Sequence, residues 1–195
     1  MKVPFDAAAY EQRVRTGGCF VCATLRGDPD HRHHLVYQDE TCAAFLNRYP
    51  PLLGYTLVVP RAHVVDVAGD RALFRHVTDV VHDVAEALRR VVPTERIYLM
   101  SLGSHQGNAH VHWHVAPLPP GVPYAEQQFA AVMSSRGILP VSDADQAALA
   151  ERLGAALVAE RGGHAVDGRF EDLRTGAEVE PDVAGAGGAE PRTGL

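Results

Sequence analysis

The chain has 195 residues, enough for one well-filled core or for one domain with a tail. Its 46% hydrophobic and 22% charged residues are those of an ordinary globular domain. The formal charge is −6, and residues 171–195 hold six acids against two arginines, so the body is near neutral. That excludes non-specific nucleic-acid binding, which needs clustered basic residues to displace counterions.

No apolar run approaches the ~20 residues that span a bilayer, and residues 1–6 lack the apolar core of a secretory signal. No membrane partner is expected. Three cysteines without an export signal point to a reducing cytoplasm. Cys19-x-x-Cys22 therefore reads as a metal or redox pair before a structural disulfide.

In chain order, residues 6–16 mix alanine with charges and read as a short helix closed by Gly17-Gly18. Residues 27–34, Gly-Asp-Pro-Asp-His-Arg-His-His, read as a solvated polar loop. Residues 35–37 and 42–47 are predicted strands joined by a turn at 38–41, with Cys42 as a small core residue. Pro50-Pro51 breaks the second strand, and residues 55–60 form a third. Residues 70–91 are the clearest helix: Leu73, Val77, Val80, Val81, Val84, Leu88 and Val91 recur every three or four positions. A fourth strand at 97–102 leads into a Gly-rich loop at 103–108.

A short helix is expected within 124–133. A better one covers 143–160, with Ser142 as N-cap and Leu149, Leu153, Ala156 and Leu157 on one face. Residues 1–161 then form one domain with helical extensions at both ends. Residues 162–195 are expected to be a disordered tail, too poor in large apolar side chains to offset their ordering entropy. Antiparallel strands with a long helix across one face give an α+β architecture.

The chemistry concentrates in His110-Val111-His112-Trp113-His114-Val115-Ala116. A spacing of two is the side-chain period of a strand. His110, His112 and His114 should share one face, with Val111, Trp113 and Val115 buried on the other. Imidazole titrates near neutral pH, attacks phosphorus and binds zinc. This stretch resembles the His-φ-His-φ-His-φ-φ signature of the histidine-triad (HIT) nucleotide hydrolases and transferases, where φ is apolar. Residues 45–50, Phe-Leu-Asn-Arg-Tyr-Pro, and 54–63, Gly-Tyr-Thr-Leu-Val-Val-Pro-Arg-Ala-His, resemble the family's first half in order and spacing. Cys19-Phe20-Val21-Cys22 is similar to the Cys-x-x-Cys of many bacterial members.

The resemblance implies an antiparallel HIT-like sheet, a homodimer, and nucleotidyl transfer at an α-phosphate. By position, His112 is the nucleophile and forms a nucleotidyl-histidine that water hydrolyses, with His110 beside it in the triad. His114 steadies the phosphoryl oxygens or the leaving group. Gln106 and Asn108 are candidate phosphate contacts, although 103–108 departs from the commoner Gly-Gln-Ser loop. Asn47 is a candidate ribose contact; its alternative reading is a cap on the turn before Tyr49.

Cys19, Cys22, His63 and His110 match the Cys-Cys-His-His set of bacterial relatives. Such a set suits a closed structural Zn²⁺ site. A redox pair, or a metal-free site with His110 bonded to a neighbour, are the alternatives. Tyr55 stands where many relatives carry histidine; it can donate a hydrogen bond in the nucleotide site but cannot carry a proton at pH 7. The expected substrate is a dinucleoside polyphosphate such as diadenosine tetraphosphate. A Hint-like purine-nucleoside phosphoramidase, or a nucleotide-binding module without turnover, are the alternatives.

Overall fold

A computed structural model describes residues 1–103 and 108–160; the expected tail at 162–195 and Gln106 lie outside them. Helix α1 (Ala7–Thr16) and the short α2 (Phe20–Leu25) precede β1 (Leu35–Gln38), β2 (Cys42–Leu46) and β3 (Thr56–Pro60). Helix α3 (Arg71–Val91), β4 (Arg96–Ser101), β5 (Trp113–Leu118), the one-turn α4 (Phe129–Val132) and α5 (Asp143–Glu160) follow. The five strands form an antiparallel sheet in the order β1-β2-β3-β5-β4.

The long helix follows its sequence signals. The Asp70 carboxylate accepts from the Leu73 amide at 3.0 Å as N-cap, Arg89 and Arg90 stand in the last turn, and Pro93 follows. Its stripe of Val77, Val80, Val81, Val84, Ala87 and Leu88 is buried. Helix α5 is capped by Ser142, whose Oγ accepts from the Asp145 amide and donates to the Asp145 carboxylate. Leu149, Leu153 and Leu157 of α5 join the α3 stripe against Ala44, Val58 and Val115 of the sheet.

One helix layer was expected, but both sheet faces are covered. Phe45, Leu57, Val59 and Ala116 point the other way and pack with Val21 of α2 and with Ala131 and Val132 of α4. Every residue of β2 and β3 is consequently buried. The α2 segment was not anticipated. The expected helix at 124–133 is broken into a 3₁₀ turn (Tyr124–Glu126) and α4, with Gln128 at φ 54° between them.

The triad strand also starts later than its period suggested. Residues 110–112 lie outside the ladder, with a bend at His110, and the Val111 amide bonds the Val64 carbonyl in a loop. Only from Trp113 does the chain join β3 and β4, with His114 opposite Leu57. Just before β3, Gly54 has φ +83°, and a Cβ there would lie 2.9 Å from Leu88. Glycine is needed at that turn, which delivers Tyr55 to the sheet.

Candidate active site

The cleft is built on the sheet face away from α3. It encloses about 520 Å³, with His112 and His114 at one end beside Asn108. From His112 one wall runs through Phe20, whose ring meets the imidazole edge-on at 5.6 Å, to His33 at 6.2 Å from Phe20. Asn47, Arg48 and Tyr49 from the segment after β2, and Tyr10 and Arg13 from α1, complete the far end. Helix α1 is held there by Phe5, whose ring stacks at 5.5 Å on Tyr10 and 5.3 Å on Tyr49.

The hydrogen bonds fix which nitrogen of each histidine carries its proton. His112 is only 4% exposed, and its Nδ1 lies 2.7 Å from the His110 carbonyl. A carbonyl only accepts, so Nδ1 holds the proton and Nε2 holds the lone pair. His114 has the opposite tautomer. Its Nδ1 lies 3.1 Å from the Tyr55 hydroxyl. Burial pushes the Tyr55 phenol well above its ordinary pKa, so it stays protonated, and it has no other acceptor among the described residues. The phenol donates, Nδ1 accepts, and the His114 proton sits on Nε2, which is buried without a partner.

The two rings stand 4.8 Å apart. One presents a lone pair and the other an N–H. Burial lowers the pKa of both, His114 to about 3 with a further push from His112, so both are neutral at pH 7. Tyr55 itself does not line the cleft; it touches the site through His114. Asn47 does line it, while its Oδ1 accepts from the Tyr49 amide at 2.8 Å, the turn-capping geometry.

The loop at 27–34 is not simply solvated. His31 and His33 line the cleft, and burial lowers the His33 pKa to about 4. His33 Nδ1 sits 2.8 Å from the His31 carbonyl and packs 4.9 Å from the Phe45 ring. Turn-forming residues dominate this stretch in sequence, and nothing there marks His33 as inward-facing. Phe20 was equally unmarked as a cleft residue.

A stability consequence follows from His33 and His114. Their folded pKa values, about 4 and about 3, lie below the ordinary 6.5. The unfolded chain therefore binds more protons below pH 6.5, and stability falls as pH drops from 6.5 toward 4. Denaturant unfolding at pH 5 is expected to give a stability about 4 kcal/mol lower than at pH 7.5, roughly 2 kcal/mol from each ring, and the reduction should be about halved in His33→Gln. Equal midpoints at the two pH values would contradict neutral burial of these rings.

His110 turns the other way from the cleft. It is 0% exposed, and its Nε2 donates to the Pro60 carbonyl at 2.9 Å, which leaves the Nδ1 lone pair free. Nδ1 faces Cys19 Sγ at 3.5 Å and Cys22 Sγ at 3.6 Å, and Cys22 Sγ is 3.3 Å from His63 Nδ1. All four donor atoms lie within 4.8 Å of one another. Cys19 is the N-cap of α2, with Cys22 one turn on, so this helix aims both sulfurs at one point. The set could hold a metal ion: two soft sulfurs and two imidazoles, one with its second nitrogen already bonded to a carbonyl.

The sequence of residues 29–120 matches the profile of the HIT domain. The chain carries a HIT domain. An uncharacterized HIT-like protein of Saccharolobus solfataricus is 28% identical over 105 residues, 51% of this chain and 73% of the relative. One from Mycoplasma pneumoniae is 28% identical over 111 residues, 55% and 76% of the two chains. Among solved structures, a hypothetical histidine triad nucleotide-binding protein of Sulfolobus tokodaii superposes with a TM-score of 0.60 at 23% identity. The alignment covers 75% of this chain and 97% of that one. A Zn-bound histidine triad family protein of Mycobacterium smegmatis gives a TM-score of 0.59 at 24% identity, with the same coverage. No helix among the described residues is long and apolar enough to cross a membrane.

Proposed function

We propose that this HIT domain hydrolyses a phosphoanhydride at the α-phosphate of a nucleoside or dinucleoside polyphosphate, such as diadenosine tetraphosphate, through a nucleotidyl intermediate on His112. The observation that carries this reading is the bond from His112 Nδ1 to the His110 carbonyl, which leaves a neutral Nε2 lone pair at the cleft. Nε2 attacks phosphorus, the bond from phosphorus to the bridging oxygen breaks, and the leaving phosphate departs with the electron pair. Water then attacks the same phosphorus, the N–P bond breaks with its electron pair returning to Nε2, and a nucleoside monophosphate, neutral His112 and one proton released to solvent result. The proton on Nδ1 stays with the His110 carbonyl throughout. His114 Nε2–H, buried and unpartnered, supplies a donor to a phosphoryl oxygen as charge builds there.

Mass spectrometry of protein quenched in alkaline denaturant, where an N–P bond survives, after mixing with a panel of nucleotides tests the reading. A nucleotidyl mass on the peptide holding His112 is expected; its absence with every nucleotide would refute the covalent route.

Tyr55 acts as a positioning residue in this scheme. In Tyr55→Phe, His114 loses the donor that fixes its tautomer. Turnover is expected to fall about tenfold with little change in KM, the worth of roughly one hydrogen bond. Nitrogen NMR of the His114 ring should then show a mixture of tautomers. An unchanged ring spectrum would sink this role.

Cys19, Cys22, His63 and His110 are proposed to hold a structural Zn²⁺. The donor set supports it, and the similar Mycobacterium smegmatis protein is Zn-bound. Burial, then the neighbouring Cys19, push the Cys22 thiol up to about 11, a cost that a divalent cation among the sulfurs would reverse. Bound there, the ion would clamp α2 to the start of the triad segment. A homodimer is proposed through β4, which ends the sheet with Leu99 50% and Leu102 56% exposed beside it. Light scattering should return twice the 21.0 kDa chain mass, and a monomer mass would refute it.

A further inference from the structure

In the lining of the same cleft, two cations approach the Tyr49 ring. The guanidinium carbon of Arg13 lies 5.8 Å from the Tyr49 ring centre, and that of Arg48 lies 5.7 Å from it. Arg13 is also 6.0 Å from the Tyr10 ring. Both arginines are exposed, and neither has a carboxylate within 4.0 Å among the described residues. Glu11, the nearest acid in sequence on α1, is committed to Arg15. Arg48 donates only to the Asp30 carbonyl, which is neutral.

Two like charges around one phenol ring gain from the ring's π-face but repel each other. An anion in the cleft that meets both guanidinium groups would turn that repulsion into attraction. Arginine suits phosphate in particular, since its planar fork meets two phosphoryl oxygens at once. Both arginines line the same cleft as His112 and His114. Phe20, Leu57 and His33 also line it, a surface apolar enough for a nucleoside.

We propose that Arg13 and Arg48 form a subsite for a second phosphate group of the nucleotide ligand, separate from the phosphate placed at His112. The subsite depends on α1, because that helix supplies Arg13 and lies before residue 29, where the matched domain begins. It rests on the nucleotide-site reading but not on turnover. The second phosphate has two possible sources, a polyphosphate chain that folds back or a phosphate on the ribose.

Calorimetry on the full chain separates them. Turnover is suppressed by His112→Ala, and the probes are adenosine 5′-monophosphate, adenosine 5′-triphosphate and adenosine 3′,5′-bisphosphate. At least one of the two phosphate-rich probes is expected to bind tenfold or more tighter than the monophosphate at low salt. Which one does so names the source. Arg13→Gln and Arg48→Gln, each added to that background, should cut this ratio to within about twofold of one. The gain should also shrink in 0.5 M salt, where exposed charges are screened. Arg48 lies outside α1, so Arg48→Gln keeps the test sound should Arg13→Gln loosen that helix, which circular dichroism would show. Equal affinity for all three probes, or a ratio untouched by Arg48→Gln, overturns the proposal. Monophosphate binding without any catalysis would remove the hydrolase reading and leave this test intact.

Discussion

Replacing His112 by alanine is expected to lower hydrolysis by at least ~10³-fold, the scale on which removal of a nucleophile acts in enzymes that use one. The argument depends on the tautomer. With Nδ1–H held by the His110 carbonyl at 2.7 Å, only Nε2 can reach phosphorus, and no other neutral lone pair among the triad imidazoles is presented to the cleft. His114 cannot substitute, because Tyr55 occupies its Nδ1 and its Nε2 carries the proton. Nucleotide affinity should stay within about tenfold, since the apolar floor and the polar end of the cleft persist. Steady-state rates, with calorimetric affinities from the same preparation, make the comparison. A variant hydrolysing at the parental rate would remove His112 as the attacking group.

The second large effect concerns the cysteine–histidine cluster. Purified protein is expected to carry close to one zinc per chain by elemental analysis, and Cys19→Ser to carry little. Structural zinc sites contribute folding free energy outright. The melting temperature of Cys19→Ser, or of protein treated with a strong chelator, is therefore expected to fall by more than about 10 °C, given roughly 2–8 °C per kcal/mol for domains of this size. Helix α2 has only six residues and cannot persist alone, so its amides should lose hydrogen-exchange protection first. Negligible zinc in both proteins, with equal melting temperatures, would end the metal reading and favour a thiol pair.

Much of this architecture was legible because local signals and global packing agree. Leu73 through Val91 repeat at helical spacing, with Asp70 ahead and Pro93 behind, and α3 lies there. Ser142 and the Leu149–Leu153–Leu157 stripe marked α5 equally well. The triad's alternation marked the imidazoles that gather here but concealed that His112 and His114 line the cleft while His110 faces the cysteines. Nothing in the spacing shows that residues 110–112 leave the ladder, since that follows from the long-range bond between Val111 and Val64. The pairing of Tyr55 with His114 was hidden for a similar reason. It depends on the register that sets Leu57 opposite His114, which brings position 55 onto the same face one diagonal step away. The inward His33 and the α1 wall were hidden because each takes its place from tertiary contacts with Phe45 and with Tyr49.

His110 divides its labour between two parts of one residue. The imidazole faces the two sulfurs, while the main-chain oxygen accepts the hydrogen bond from His112 Nδ1–H. Every amino acid owns that oxygen. A natural variant with some other side chain at the first triad position would lose one of the four donors of that cluster yet keep the oxygen that orients the His112 ring. Chemistry and scaffolding could thus drift apart along a lineage, although they meet in a single link of the polypeptide.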